Sequence, residues 1–392
     1  MKPIIGIILV VLIEFTFFYQ FNNNSDELGL QPKPASLANL SQSSGKAGPS
    51  LSAGPDIRIA APTPGQFYQG VYPGDITILD QPAGLAEINA YEQAAGKSVA
   101  WVYFSSEWGK DRKFPLATAD RIRQLGKTPF IRLMLRTNVE QGHPDPVFTL
   151  QRIIEGDFDP DLRAWARSAR LFGGPLLIEY GTEVNGDWFP WNSQWNNGLL
   201  DDHGKLNLLT GPGRFKGAYR HIISIFRQEG ANNISWVFHV NSEDNPVVQW
   251  NRLEDYYPGD NWIDWIGVSI YGAQKPSDDQ CKSFQELMDG VYPRLVSLSA
   301  SKPLVFLEFG VTSGNPLCSQ SDWARSALSD ITALRWPRLV GFSWWNETWR
   351  NDNDPSHNTD FRVQDNPALE NVFRSYVAKN DKVLGSPLLI YK

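Results

Sequence analysis

The sequence predicts an α/β fold, a (β/α)8 TIM barrel, and three observations predict it. Eight short apolar runs recur along the chain, longer amphipathic stretches separate them, and no glycine-rich phosphate loop follows the first run. Short, nearly continuous apolar runs mark strands buried on both faces of a parallel sheet. Eight βα units suit a closed barrel better than an open doubly wound sheet, whose phosphate fingerprint is missing here.

The chain has 392 residues, 42% of them hydrophobic and 20% charged, enough for a large folded core. Residues 1–21 read as a targeting segment: Lys2 comes first, then an apolar stretch that contains Glu14. The nearest small-x-small string, Ser36-Leu37-Ala38, lies far downstream. Both a cleaved signal peptide and an uncleaved membrane anchor therefore stay open. Either implies export, as a secreted protein or one held on the outer face of the cytoplasmic membrane. Residues 22–64 are rich in Ser, Pro, Gly and Asn without periodicity, as in a flexible linker. Residues 65–392 are then the folded catalytic domain.

Within that domain, strands are predicted at 67–71, 99–104, 129–134, 176–180, 234–239, 265–271, 304–309 and 339–345. Each is short, and most are rich in Val, Ile, Phe or Tyr. Helices are predicted at 85–95, 117–125, 162–171, 215–228, 284–299, 323–334 and 368–378. In 215–228, Tyr219, Ile222, Ile223 and Phe226 fall at i, i+3, i+4 and i+7, one face of a helix.

A barrel of this kind carries its active site at the C-terminal ends of the strands. The fourth run leads into Gly181-Thr182-Glu183, and the seventh ends on Glu308-Phe309-Gly310. A carboxylate among uncharged neighbours is costly unless it is paired or used. Glutamates on strands four and seven face one another across one cavity. Retaining glycoside hydrolysis needs such a pair about 5–5.5 Å apart, one protonated and one ionised. Tyr271, ending the sixth run, can donate to Glu308.

The aromatic count points the same way, with 15 Trp and 13 Tyr. Trp188, Trp191 and Trp195 follow Glu183 closely, interleaved with Asn185, Asn192 and Asn196. Flat rings beside amides suit a sugar chain. Trp344 and Trp345 end the eighth run, and alternation lets only one face the cavity. Trp108 and His239 are further candidates for the cleft wall.

The net charge of −7 argues against nucleic acid as a partner. A polysaccharide substrate and a monomeric chain are expected instead. The five histidines are scattered and no cluster has metal spacing, so neither metal nor cofactor is expected. Cys281 and Cys318 follow the sixth and seventh strands, and a disulfide between neighbouring loops is open to them. Asn351, Asp352 and Asp354 read as a loop.

These residues resemble glycoside hydrolase family 26, best known for β-mannanases, over about residues 65–380. The matching strings are Glu183-Val184-Asn185-Gly186-Asp187-Trp188-Phe189-Pro190-Trp191, Tyr257-Pro258-Gly259-Asp260 leading to Asp264-Trp265-Ile266-Gly267, and Glu308-Phe309-Gly310. The resemblance implies Glu183 as acid/base, Glu308 as nucleophile, Tyr271 as its hydrogen-bond partner and Trp345 in the floor under the cleaved sugar. It departs at one point: the histidine that usually precedes the acid/base glutamate is Thr182 here, so contacts at the cleavage point differ. The family also takes in enzymes acting on mixed-linkage β-glucan and β-1,3-xylan. A non-catalytic carbohydrate-binding barrel and a transglycosylase acting on exopolysaccharide are the rival readings.

Overall fold

The apolar runs pair side by side in chain order, and the last returns to the first. The computed structural model describes residues 56–74, 82–196 and 211–391. The targeting segment and residues 22–55 of the linker lie outside the described residues. The chain opens with β1 (Ile57–Ile59), β2 (Phe67–Tyr72), α1 (Pro82–Ala95), β3 (Trp101–Glu107), α2 (Leu116–Gln124) and β4 (Thr128–Met134). It continues through α3 (Leu150–Ile154), α4 (Asp159–Phe172), β5 (Leu176–Tyr180), α5 (Gly211–Gln228), β6 (Ile234–Asn241) and β7 (Trp265–Tyr271). Then come α6 (Phe284–Leu298), β8 (Leu304–Gly310), α7 (Gln320–Thr332), β9 (Leu339–Trp345), β10 (Thr348–Trp349), β11 (Thr359–Asp360), α8 (Pro367–Phe373), β12 (Val383–Leu384) and β13 (Leu389–Tyr391).

Strands β2 to β9 are parallel neighbours in order, and β2 also pairs with β9, which closes the barrel. All eight predicted strands are barrel strands, displaced at their ends by no more than a few residues. What periodicity misses is short: helix α3, the strand pairs β1–β13 and β10–β11, and β12, which pairs with β2. Strand β1 lies ahead of Gly65, where the sequence suggests the domain starts. Its partner is at the far end of the chain, so no local pattern announces it.

Alternation splits the strands between two cores. Tyr68, Trp101, Tyr103, Phe130, Leu177, Val237, Trp265 and Leu307 fill the barrel's inside. Residues of opposite phase, such as Ile131, Ile178, Phe238 and Phe342, pack outward under the helices. Helix α4 shows how the sequence sets its ends. Asp159 and Asp161 lie in the first turn, complementing the exposed N–H groups, and Gly173 caps the last turn at φ 70°.

Two irregularities aim the functional side chains. Opposite β7, strand β8 carries one extra residue: Val268 pairs with Phe306, but Ser269 pairs with Glu308. This bulge switches the phase, so that both Leu307 and Glu308 turn inward while Phe309 packs outside. After β5 the chain turns sharply, with Gly181 at φ 75° and Glu183 at φ 48°. A Cβ on Gly181 would lie 2.2 Å from the Phe215 ring, so only glycine fits there. Cys281 and Cys318 form a disulfide, 2.07 Å between sulfurs. Among the described residues, no helix is long and apolar enough to cross a membrane.

Candidate active site

Glu183 and Glu308 both sit at the C-terminal mouth of the barrel, each only 5% exposed. Glu183 holds a left-handed backbone conformation, which is uncommon for a residue with a side chain and costs about 1–3 kcal/mol. The Trp188 indole N–H donates to Glu183 Oε2 at 2.7 Å. Glu308 has stronger cationic support. The Arg132 guanidinium lies 3.2 Å from Oε1, and the Tyr271 hydroxyl donates to Oε2 at 3.1 Å.

These partners decide how the pair ionises. Burial pushes Glu308 up to about 7, against the pull of Arg132 and with a further push from the charge on Glu183. Burial also raises Glu183, opposed by Ser269, Trp188 and Arg132. Each carboxylate resists ionisation of the other, so the two share one proton into the neutral range. Arg132 and the Tyr271 hydroxyl stabilise negative charge on Glu308. Burial keeps Tyr271 a phenol, with the charges of Glu308 and Glu183 adding to the effect, so it serves as a donor.

Trp345 resolves the choice at the end of β9. Its ring belongs to the inner core and stacks on Tyr72, 3.7 Å between centroids, with Arg132 5.3 Å away over its face. Trp344 turns outward, packs edge-on against Phe309 and Phe373, and donates to the Phe361 carbonyl. The pleat allows one ring inside, and the register with β2 makes it Trp345.

Several residues that the sequence assigns to sugar contact are turned elsewhere. Thr182 is fully buried and donates to Glu179 Oε1 at 2.5 Å. Trp191 stacks on Phe189 and donates to the Thr182 carbonyl, so its ring is part of the loop's scaffold. Trp108 is 2% exposed and packs edge-on against Phe148 in the outer core. Asn185 bonds the Asn241 and Glu243 carbonyls, Asp244 Oδ1 and the Asn241 N–H, which ties the Glu183 loop to the loop after β6. His239 is fully buried beneath the mouth, between Glu179 and Ser269. Thr182, Trp191 and Asn185 thus spend their polar groups on partners inside the protein. Of the predicted residues, Glu183, Glu308, Tyr271, Trp188 and Trp345 come together at the mouth.

The sequence reading missed Arg132, Glu179 and Ser269. The first two carried a signal: each is a lone charge inside a continuous apolar run, at 129–134 and 176–180. Such charges persist in a core only when paired.

The model of a family described as Glycosyl hydrolase family 26 matches residues 163–359, a span that contains both glutamates. Endoglucanase H of Acetivibrio thermocellus is 24% identical over 301 residues, covering 76% of this chain and 29% of its own length. The mannan endo-1,4-beta-mannosidase A and B of Caldalkalibacillus mannanilyticus is 26% identical over 183 residues, 46% of this chain and 30% of its own. The chain thus spans about three-tenths of the length of these curated relatives. The structure of a Cellulomonas fimi endo-beta-1,4-mannanase double mutant superposes with a TM-score of 0.56 at 16% identity, covering 82% of this chain and 72% of that one. At that identity the likeness is one of fold.

Proposed function

The chain belongs to glycosyl hydrolase family 26, and from that premise we propose that it is a retaining, endo-acting β-glycoside hydrolase working on a polysaccharide. Glu308 attacks the anomeric carbon as the glycosidic C–O bond breaks, and Glu183 delivers its proton to the departing oxygen. Water then attacks the glycosyl–enzyme ester, gives its proton to Glu183, and Glu308 is released. The observation that carries this reading is the unequal support of two near-buried carboxyls. Glu308 has a guanidinium and a phenol, whereas Glu183 has neutral donors only. That asymmetry supports a nucleophile beside an acid rather than two equivalent acids.

β-1,4-Mannan or a related β-glycan is the proposed substrate, with Trp345 under the sugar at the cleavage point and Trp188 beside the leaving group. The relatives' names point to both mannan and glucan, and Thr182, buried against Glu179, supplies no contact of its own to choose between them. Purified protein incubated with mannan, glucomannan, mixed-linkage β-glucan and β-1,3-xylan should release reducing ends from at least one. Tight binding without product on every polymer would sink the hydrolase reading in favour of a binding barrel. Longer chains among the products would mark a transglycosylase. Export through residues 1–21 belongs to the same reading, and fractionation of the producing cells checks it.

The shared proton sets the pH dependence. Burial raises the Glu183 carboxyl, whose protonated form is the donor, so kcat/KM should fall along an alkaline limb that lies above the ordinary carboxylate range. A profile flat to about pH 9 would mean that neither carboxyl supplies the proton.

A further inference from the structure

Glu183 keeps a left-handed backbone, φ 48°, with no glycine to relieve it. Such strain persists only where the surroundings over-determine it. Here every carbonyl from residue 182 to 185 is engaged. The Thr182 oxygen accepts from the Trp191 indole, the Glu183 oxygen from the Gly186 N–H and the Val184 oxygen from Asn192 Nδ2, at 2.7, 2.8 and 2.9 Å. The Asn185 oxygen accepts from the Asn245 N–H at 2.9 Å and from Asn251 Nδ2 at 2.8 Å. The Asn185 side chain, fully buried, binds the loop after β6 as well. Its Nδ2 faces the Asn241 and Glu243 carbonyls at 3.0 and 3.2 Å and Asp244 Oδ1 at 2.9 Å, while its Oδ1 accepts from the Asn241 N–H at 2.7 Å. The position therefore calls for donors and an acceptor on one short planar group. Aspartate lacks the donors and would set its charge against Asp244; glutamine is one methylene too long for a packed site. Asp244 is in turn held from outside the barrel. Its Oδ2 accepts from Arg294 Nη2 at 2.7 Å, and the same guanidinium pairs with Glu254. Arg294 lies on α6, with 29% of its side chain exposed. Hydrogen bonds thus run from the outer helix through Asp244 to Asn185, two residues past Glu183.

We propose that Asn185 is the positioning residue of the acid/base: backed by Asp244 and Arg294, it holds the turn that sets the Glu183 carboxyl at the mouth. The inference rests on the acid/base role of Glu183 proposed above. Asn185 meets no sugar and acts through the backbone of Glu183. Its effect is therefore confined to proton donation. The attacking carboxyl, Glu308, is placed by β8 and held by Arg132 and Tyr271, which lie on other strands. Loosening the turn displaces the proton donor, together with the Trp188 indole bonded to it, and leaves the nucleophile where it is. A misplacement of about 1 Å is enough to cost a catalytic group on the order of 10²-fold in rate.

Asn185→Ala in the full chain tests this on two substrates. On polysaccharide, kcat/KM should fall about 10²-fold. On an aryl glycoside whose phenolate leaves unaided, kcat/KM reports formation of the glycosyl–enzyme, and the defect should be at least about 10-fold smaller. Amide hydrogen exchange at Val184 and Gly186 should quicken in the same variant, because their bonds to the His239 and Glu183 carbonyls depend on the turn. A merely structural role disturbs both reactions alike. Equal defects on the two substrates, or exchange as slow as before, would overturn the inference. If Asn185→Ala does not fold, Arg294→Met, at the exposed end of the line, decides the matter. It should show the same inequality in smaller measure, and an unaltered ratio between the substrates overturns the proposal. Glu183→Gln, assayed beside them, separates this inference from the reading beneath it. Unequal defects there with equal ones in Asn185→Ala leave Glu183 the acid and strip Asn185 of its part. Equal defects in Glu183→Gln with quickened exchange in Asn185→Ala sink the acid role and leave the hold on the turn standing.

Discussion

Replacing Glu308 by alanine is expected to lower kcat/KM at least about 10³-fold while the barrel stays folded. The loss follows from removing the atom that would bond to the anomeric carbon, since no other carboxyl is held on that side by Arg132 and Tyr271. Folding should survive because Arg132 keeps a second anion, Glu179, within 3.7 Å. The truncated side chain leaves room for a small anion. Azide should therefore restore part of the rate and yield a glycosyl azide of inverted configuration. Steady-state kinetics and product analysis read both effects, with circular dichroism confirming the fold. Full activity in Glu308→Ala would end the assignment.

Glu183→Gln should cost a similar factor on polysaccharide, about 10³-fold, because an amide cannot give up a proton to the leaving oxygen. The defect should shrink sharply for formation of the glycosyl–enzyme from an aryl glycoside whose phenolate leaves unaided. Glutamine shares the backbone preferences of glutamate, so the left-handed turn at this position is not further strained. Comparing leaving groups separates loss of acid catalysis from loss of binding. Equal defects on both substrates would place Glu183 outside the acid role.

How much of this was legible in the chain can be seen residue by residue. The fourth and seventh apolar runs end near Glu183 and Glu308, so a barrel reading alone puts two glutamates at one mouth. It does not aim them. In β8, strict alternation groups residue 308 with Leu304 and Phe306, which face the helices; the bulge opposite Ser269 turns it inward. The tryptophans show the same limit. Their number and clustering signal rings near the mouth, yet Trp108, Trp191 and Trp344 are packed away and Trp345 is stacked inside. A large indole serves a core and a sugar equally well, and only its neighbours distinguish the two.

The sequence by itself determined the eight-strand periodicity, the order of its βα units and the two strand ends that carry glutamate, because these are written in local hydrophobic spacing. Tertiary structure alone decided which phase of each strand faces inward and how Arg132, Glu179, His239, Ser269 and Glu308 meet. Those five lie on five different strands, β4 to β8, and contact one another only after the sheet closes. A buried charge is tolerable only beside its partner, and no short stretch of sequence names a partner that barrel closure brings from far along the chain.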